Sequence, residues 1–308
     1  MSKLFISGLR RSGTTIFWNV IRQDCRFRAF NEPFSPEIRK VADPNWRLLR
    51  DFIEFRELML EDPGSFWELY SPIRCTEEIQ TGMSDRQKRY LEFLLGSSEH
   101  VLIDDTHCQF KLEALKEVAP SLVFVHLFRP PQKFVTSIML PSLSNMPPHP
   151  RALLRTGERV SHKARRKWKE TTFWSRKWSE NAWGFDEIMY PITKESLFGL
   201  RLQEQGMDPD IVGEMPAVGK LLAYWKVNYE HVRAMGSKIF GDRFLSVNLD
   251  EYLVNPAPTL ESIYRCLGIP FKPLDTGLLK KAKPAFDLGN PKWEELLRTL
   301  QMDEWIGA

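Results

Sequence analysis

The first apolar stretch of the chain is short and is followed at once by a glycine-containing turn. Lys3–Ser7 (KLFIS) has the length and composition of a strand buried in a sheet. The next periodic stretch, Thr14–Gln23, places Ile16, Val20 and Ile21 near one face, as in an amphipathic helix. A strand, a glycine turn and a helix in this order predict the opening unit of an α/β fold.

The alternation of strand and helix recurs further along the chain. Val101–Asp105 predicts a second strand and Lys111–Val118 the helix after it. Leu122–Phe128 is the strongest strand pattern, and the helix after it carries Phe134 and Ser137. Strands that alternate with helices predict parallel pairing through right-handed crossovers. The predicted fold class is therefore α/β, with a central parallel sheet flanked by helices.

A proline-rich stretch at residues 141–150 (PSLSNMPPHP) interrupts this pattern and predicts a surface loop. A strand pattern at 244–247 and a helix pattern at 257–267 resume the alternation, so the break is not read as a domain boundary. The sequence between is largely helical in pattern. We expect one domain over the whole chain, with a helical insertion at roughly 150–235.

Composition narrows the classes of function. Hydrophobic residues make up 43% and charged residues 27% of the 308 residues, as in a globular protein rather than a disordered chain. The net charge of +3 is too small for wholesale nucleic-acid binding. No apolar run reaches the roughly 18 residues of a membrane span, and no export signal precedes the first strand pattern. With four separated cysteines and no CxxC pair, we expect a reduced, cytoplasmic protein.

The turn at residues 8–15 reads Gly-Leu-Arg-Arg-Ser-Gly-Thr-Thr, a G-x-x-x-x-G-x-T spacing. Glycines let successive backbone N–H groups point into one concavity, and the next helix adds its positive end, so this spacing is typical of a phosphate-binding loop. A threonine replaces the lysine of nucleotide triphosphatases. The candidate anion ligands are Arg10, Arg11, Ser12, Gly13, Thr14 and Thr15. The alternative is an ordinary strand-to-helix turn with surface arginines.

A second candidate anion site follows the strongest strand. Arg129 comes directly after that strand, and Ser137 lies eight residues later on the next helix. A guanidinium that leaves the sheet edge beside the loop can bind a second phosphate through two parallel hydrogen bonds. Ser137, about two helical turns on, can add a hydroxyl. The alternative for Arg129 is a solvated residue at a strand end.

The two anion sites resemble those of the sulfotransferases that use 3′-phosphoadenosine 5′-phosphosulfate (PAPS). In that family an R/K-S-G-T-T loop, here residues 11–15, binds the 5′-phosphosulfate, and a strand-end Arg with a Ser eight residues on, here Arg129 and Ser137, binds the 3′-phosphate. An acidic-acidic-x-x-x-x-Pro segment before a helix and Leu-Gly, here within residues 250–268, is also typical. The resemblance implies a P-loop, nucleotide-kinase-like architecture and the product 3′-phosphoadenosine 5′-phosphate. It leaves the acceptor as a small-molecule or glycan hydroxyl.

Two residues compete for the general base that a hydroxyl acceptor requires. His107 lies in Asp-Thr-His after the second strand pattern, where the resemblance to cytosolic sulfotransferases implies a His base. Glu32, in Phe-Asn-Glu-Pro, corresponds to the Glu base of tyrosylprotein and some carbohydrate sulfotransferases. The intrinsic pKa of imidazole suits the task near neutrality, which favours His107. The alternatives are a polar loop histidine and a Glu32 carboxylate paired with Arg28.

The sequence departs from the cytosolic enzymes at two places. Asp105 stands where they have a lysine that contacts the sulfuryl group, so either an arginine of the loop stabilises charge there or Asp105 orients His107. Their late Arg-Lys-Gly loop is absent, and Lys283 is the candidate that replaces it toward the 3′-phosphate or adenine. A solvated basic run is the alternative for Lys283. In-line sulfuryl transfer requires no metal, and we expect none.

Residues 151–180 hold ten Lys and Arg against three Glu, with tryptophans interleaved. The simpler interpretation is an amphipathic helix that buries its tryptophans. The sharper hypothesis is a lid for an anionic or aromatic acceptor, with arginine for charge and tryptophan for stacking.

Two other functions stay open at this point. A P-loop kinase would bind ATP and magnesium; Asp104 or Asp105 could hold the ion, but Thr14 in place of lysine argues against it. A non-catalytic nucleotide-binding module would bind the bisphosphate nucleotide without turnover.

Overall fold

The computed structural model describes residues 2–139, 190–277, 279 and 291–307. Within them, five strands form one sheet in the order β2-β3-β1-β4-β5, and every pairing is parallel. The strands are β1 (Ser2–Ser7), β2 (Phe27–Asn31), β3 (His100–Asp105), β4 (Val123–Phe128) and β5 (Phe244–Asn248). The α/β class with a central parallel sheet is confirmed.

Helices connect the strands and continue beyond them. In the described part of the chain they are α1 (Thr14–Ile21), α2 (Ile53–Glu61), α3 (Pro63–Leu69), α4 (Asp85–Gly96), α5 (Leu112–Val118), α6 (Pro131–Met139), α7 (Leu197–Glu204), α8 (Pro209–Glu214), α9 (Ala217–Phe240), α10 (Leu249–Val254), α11 (Pro256–Leu267) and α12 (Pro291–Thr299). Short 3₁₀ turns lie at Pro36–Lys40, Leu49–Asp51, Cys75–Glu77, Gly241–Arg243 and Asp303–Trp305.

The side chains of alternate strand residues are buried in two separate hydrophobic cores, one on each face of the sheet. On β1, Leu4 and Ile6 pack with α1, α10 and α11, whereas Phe5 packs on the other face with helices α2 to α5 and the end of α9. The strands of a parallel sheet that helices cover on both faces are rich in apolar residues. This explains why β1, β3 and β4 were recognisable as short apolar runs.

The structure differs from the sequence prediction at the first crossover. Helix α1 ends at Ile21 rather than Gln23, and its buried face includes Phe17 and Trp18, while Ile16 is 43% exposed. Strand β2 was not predicted, because its five residues include a charged and a polar side chain (FRAFN) and show no clear apolar pattern. Its pairing with β3, a contact distant in sequence, defines it.

The strand order places a topological switch point beside β1. The chain passes from β3 on one side of β1 to β4 on the other, so connections at the carboxyl ends of β1 and β4 diverge. In open α/β sheets this divergence leaves a crevice outside the carboxyl ends of the strands, where ligands bind. The fold thus positions a site at this edge.

The chain divides into two compact units, Met1–Arg129 with Asn228–Ala282, and Pro130–Val227 with Lys283–Ala308. The first holds the sheet. Within the second, Lys226 Nζ donates to the Gln301 carbonyl at 2.9 Å, and the rings of Trp225 and Trp305 meet edge to face at 5.1 Å. The expected insertion at 150–235, the proline-rich loop and the basic segment lie wholly or partly outside the described residues, and the single-domain arrangement stays a prediction.

No helix in the described ranges combines the length and apolar character that crossing a bilayer requires. All four cysteines are free thiols.

A hydrogen-bonded carboxylate fastens the turn after α1 to helix α11. Asp24 is 6% exposed; Arg26 donates to both of its oxygens, at 2.6 and 2.9 Å, and the Tyr264 hydroxyl donates to Oδ2 at 2.8 Å. The Arg26 hydrogen bond, opposed by burial and aided by Tyr264, lowers the pKa of Asp24 to about 2. The ionised form of Asp24 therefore stabilises the folded chain.

We expect Asp24→Asn to lower the free energy of unfolding by about 1–3 kcal/mol at pH 7, because hydrogen bonds to a charged group are lost. A depressed folded-state pKa stabilises above the unfolded value and loses that effect as pH falls, so the difference from wild type should shrink between about pH 4 and about pH 2. Urea unfolding followed by circular dichroism measures it. Glu261→Gln, an exposed change on α11, is the control, and a pH-independent difference would contradict the assignment.

Candidate active site

The loop between β1 and α1 passes unusually close to β4. A Cβ added at Gly8 would lie 2.2 Å from the Leu127 carbonyl oxygen, and one at Gly13 would lie 2.6 Å from Leu249 Cδ2. Gly13 has φ +88° and Arg11 has φ +73°, both in the left-handed region. Gly8 is required because a side chain there would meet backbone, whereas Gly13 is favoured because its left-handed φ strains any other residue.

Neither a side-chain cap nor an acidic residue in the first turn offsets the positive N-terminal end of α1. Gly13 precedes the helix, no side chain caps it, and the described first turn carries no acidic residue. The positive end of the helix dipole and the first backbone N–H groups therefore face the loop, as in an anion site at a helix N-terminus. Ser12 and Thr14 are buried, and Thr15 is half-buried.

Arg10 points from the loop to a buried carboxylate that the sequence analysis missed. Its Nη2 lies 2.5 Å from Glu78 Oε1 and 3.8 Å from Cys75 Sγ. The Glu78 side chain is only 3% exposed. Burial raises the pKa of Glu78, while His107 and Arg10 oppose that increase. Glu78 follows a single 3₁₀ turn, which leaves no periodic signal in the sequence.

Arg129 lies close enough to the loop to interact with Arg11. Burial lowers the pKa of Arg129, Asp250 raises it, and the charge of Arg11 lowers it further. The loop and the strand-end arginine thus share one electrostatic environment. Ser137, on α6 in the second unit, donates its hydroxyl to the Phe134 carbonyl at 2.8 Å. Lys283 lies outside the described residues.

Asp105 and His107 form a buried pair at the end of β3. Asp105 Oδ1 accepts the His107 backbone N–H at 2.7 Å and lies 3.2 Å from His107 Nδ1. Its Oδ2 accepts the Phe34 N–H at 3.1 Å, so both oxygens are held by groups after the ends of two neighbouring strands. The Asp105 carboxylate is therefore fixed in place and in turn fixes the ring of His107.

Glu32 reaches the same histidine from the end of β2. Its backbone has φ +50°, and its N–H donates to the Asp104 carbonyl at 2.6 Å. Glu32 Oε2 lies 3.2 Å from His107 Nδ1 and accepts the N–H and hydroxyl of Thr106 at 3.2 and 3.0 Å. Arg28 is not its partner, since Arg28 pairs with Glu61 at 3.0 Å. The prediction that Glu32 could be paired with Arg28 is wrong.

Three carboxylates surround the His107 imidazole. Asp105 and Glu32 contact Nδ1, and Glu78 Oε1 lies 3.7 Å from Nε2. Burial on its own would lower the pKa of His107, but the charges and hydrogen bonds of Asp105 and Glu32 raise it well above its usual value. The imidazole is therefore held as an imidazolium, with Nδ1 donating toward the two carboxylates.

One ligand atom from each of Glu32, Asp105 and His107 lies within 4.8 Å of the others. These residue types and this spacing would suit a divalent cation, so the expectation of metal-free chemistry stays a prediction.

Asp104, the neighbour of Asp105, points into the protein. It is fully buried, and within the described ranges neither carboxylate oxygen has a hydrogen-bond partner by distance, although the Thr14 hydroxyl is near enough to favour the charged form. Burial, reinforced by Glu32 and Asp105, raises the pKa of Asp104 well above its usual value. A buried carboxyl with a raised pKa is a weaker magnesium ligand than an ordinary aspartate.

The predicted candidates therefore converge at the carboxyl edge of the sheet. The phosphate loop follows β1, Glu32 follows β2, Asp105 ends β3 with His107 two residues on, and Arg129 follows β4. The sequence indicated these residues separately, and the parallel sheet brings them to one edge.

No protein-family model matches the sequence, and no curated protein matches it. Solved structures do. Sulfotransferase STF9 from Mycobacterium avium is 14% identical with a TM-score of 0.47, over 99% of this chain and 76% of that one. The sulfotransferase domain of the Synechococcus PCC 7002 olefin synthase is 14% identical with a TM-score of 0.44, over 99% and 87%. Sulfotransferase STF1 from Mycobacterium tuberculosis H37Rv is 16% identical with a TM-score of 0.42, over 97% and 76%.

Each of these three structures is a sulfotransferase.

Removing the carboxylate of Asp105 should release the proton of His107. We expect Asp105→Asn to lower the pKa of His107, because one of two negative charges at Nδ1 is lost while the amide oxygen can still accept the His107 backbone N–H; the Phe34 N–H loses its acceptor. NMR titration of the imidazole nitrogens measures the shift. An unchanged His107 curve in the Asp105→Asn protein would refute this electrostatic description.

Proposed function

We propose that this protein transfers the sulfuryl group of PAPS to a hydroxyl of a small-molecule or glycan acceptor. The observation that carries the proposal is the approach of the loop to β4, where Gly8 has no room for a side chain beside the Leu127 carbonyl. Arg129 leaves β4 two residues after Leu127. The loop and this arginine therefore begin side by side at the same sheet edge, which suits a nucleotide with a phosphate at each of two positions.

The residues of the first unit fit a polyanionic donor. Residues 8–15 offer backbone N–H groups, a helix N-terminus and the Arg11 guanidinium to the 5′-phosphosulfate. Arg129 offers a second guanidinium to the 3′-phosphate. When bound, the donor supplies the sulfur atom and a stable leaving group, the bisphosphate nucleotide.

We propose Glu32 as the proton acceptor. In the reaction the acceptor oxygen forms a bond to sulfur as the bond from sulfur to the 5′-phosphate oxygen breaks, and the hydroxyl proton must leave. The Glu32 side chain is 19% exposed and that of His107 is 6% exposed. Glu32 Oε1 has no hydrogen-bond partner among the described residues, whereas the raised pKa of His107 leaves its nitrogens protonated. Accessibility and protonation both favour Glu32.

In this proposal His107 and Asp105 act indirectly: both help to position Glu32, and His107 adds positive charge to the site. The imidazolium contacts Glu32 Oε2, and Asp105 fixes the ring. The positive charge of His107, together with Arg10 on the far side of Glu78, offsets the surplus of carboxylates beside the donor. These residues provide the positioning and electrostatic stabilisation on which group transfer chiefly depends.

Binding of the product nucleotide tests the donor site. We expect Arg11→Gln and Arg129→Gln each to weaken binding of 3′,5′-adenosine bisphosphate by about 10- to 100-fold, because each removes charge-assisted hydrogen bonds to a phosphate. Isothermal titration calorimetry measures the affinities. The control is Arg265→Gln, an exposed arginine on α11. Equal affinity in all variants would remove the proposed donor site, and tighter binding of magnesium ATP would favour the kinase alternative.

The base assignment predicts separate effects on turnover and on binding. Glu32→Gln should lower kcat by about 10²- to 10⁴-fold, since a positioned general base contributes on that scale, with bisphosphate affinity unchanged. A screen of hydroxyl acceptors with labelled PAPS provides the rate. Glu61→Gln, which removes an exposed ion pair, should match wild type. If His107→Asn lost more activity than Glu32→Gln, and the rate rose with the deprotonation of His107 followed by NMR, His107 would be the base instead.

A further inference from the structure

The three residues Glu32, Asp105 and His107 also have the geometry of a metal-ligand set. His107 Nδ1 lies 3.2 Å from Glu32 Oε2 and 3.2 Å from Asp105 Oδ1. One ligand atom from each residue lies within 4.8 Å of the other two. Ligand atoms that bind a tetrahedral zinc ion at about 2.0–2.2 Å are about 3.3–3.5 Å apart. The two observed separations are therefore close to two edges of such a tetrahedron.

A fourth residue provides the outer contact that a ligand histidine requires. In metal sites the second ring nitrogen of the histidine normally faces a carboxylate, a carbonyl or water. Glu78 Oε1 lies 3.7 Å from His107 Nε2, and the Glu78 side chain is only 3% exposed. Both ligand carboxylates accept backbone N–H groups, at 3.1 Å for Asp105 Oδ2 and 3.2 Å for Glu32 Oε2. The orientation of all three ligands is thus supported from outside the set.

The ligand types favour a transition-metal ion over magnesium or calcium. One imidazole with two carboxylates suits zinc, whereas magnesium and calcium prefer ligand sets made of oxygen. The Glu32 side chain is 19% exposed, which gives an ion a path from solvent, while Asp105 and His107 are buried. Burial strengthens the attraction between the ion and its ligands.

A divalent ion would also offset the surplus of carboxylates in the cluster. Glu32, Asp105 and Glu78 surround one imidazole, and Arg10 pairs with Glu78 on its other side. The ion takes the place of the proton on Nδ1, and that proton passes to solvent. The exchange adds one positive charge among carboxylates that are costly to bury together.

We infer that Glu32, Asp105 and His107 bind a divalent transition-metal ion, with zinc as the best fit, and that the bound ion inhibits sulfuryl transfer. A Glu32 carboxylate that coordinates the ion is a much weaker proton acceptor than a free one. The inhibition rests on the proposed function, but binding of the ion does not.

Calorimetry with Zn²⁺ alone and the chelator-treated full chain tests the site without turnover. We expect Glu32→Gln and His107→Gln each to weaken Zn²⁺ binding by about 100-fold or more, since outer partners alone contribute about 10- to 100-fold. Glu78→Gln, which changes an outer partner, should weaken binding by about tenfold. Glu61→Gln, an exposed change on α2, should bind like wild type. Should His107→Gln lose the wild-type circular dichroism spectrum, Glu32→Gln decides alone.

Cobalt(II) in place of zinc reports the ligand types directly. We expect the visible absorption bands of a tetrahedral ion, without a sulfur-to-cobalt charge-transfer band in the near ultraviolet. Glu32→Gln should remove or shift the visible bands. A sulfur-to-cobalt band would place the ion on a cysteine, such as the exposed thiol of Cys25, and would overturn the proposed ligand set.

The outcomes separate the metal site from the proposed function. Zinc affinity that Glu32→Gln leaves unchanged overturns the metal site, even where 3′,5′-adenosine bisphosphate binds and transfer occurs. If zinc binds as expected and labelled PAPS sulfates no hydroxyl acceptor, the proposed transfer fails while the metal site stands. If both are observed, the rate should fall about tenfold or more as the site fills and should return when a chelator is added, because the base is blocked only while the ion is bound. An unchanged rate at saturating zinc overturns the inhibitory role.

Discussion

The close approach of Gly8 to the Leu127 carbonyl determines how the loop after β1 lies against β4 at the carboxyl edge of the sheet. A loop that could not lie against β4 would start α1 further out and would separate the loop from Arg129. Any side chain at Gly8 would clash with backbone, which cannot move without disturbing the pairing of β1 with β4. The absence of a side chain at Gly8 therefore allows the loop after β1 and Arg129 after β4 to lie side by side.

Electrostatic balance is the second constraint. Glu32, Glu78 and Asp105 converge on a single imidazole, and such a group of carboxylates in a buried place is costly without compensation. His107 and Arg10 provide that compensation, which is why the pKa of the imidazole is high and why Arg10 is drawn from the loop to Glu78. The charges of the site depend on one another, so none of these side chains can be assigned a role in isolation.

The sequence predicted what local pattern determines and not what distant pairing determines. The apolar runs of β1, β3 and β4 indicated an α/β sheet because strands buried on both faces carry little else. The loop was recognisable because its glycines, arginines and threonines are consecutive. Strand β2 was not predicted, because Arg28 and Asn31 interrupt its apolar pattern. Its register is set by pairing with β3, which is distant in sequence.

The same limit applied to the cluster. Glu32 and His107 were indicated as competitors for one role, and only the pairing of β2 with β3 shows that they are partners in contact. Glu78 had no pattern around it, so its place between Arg10 and His107 could not be predicted.

Glu78 touches both the anion loop, through Arg10, and the imidazole. A polyanion that recruits Arg10 would take away half of the positive charge that offsets this buried carboxylate, and Glu78 would then either draw more strongly on His107 or take up a proton from solvent. Anion binding at the loop would in that way change the protonation of Glu78, or its interaction with His107, before any acceptor binds. The heat of nucleotide binding would then vary with the ionisation enthalpy of the buffer.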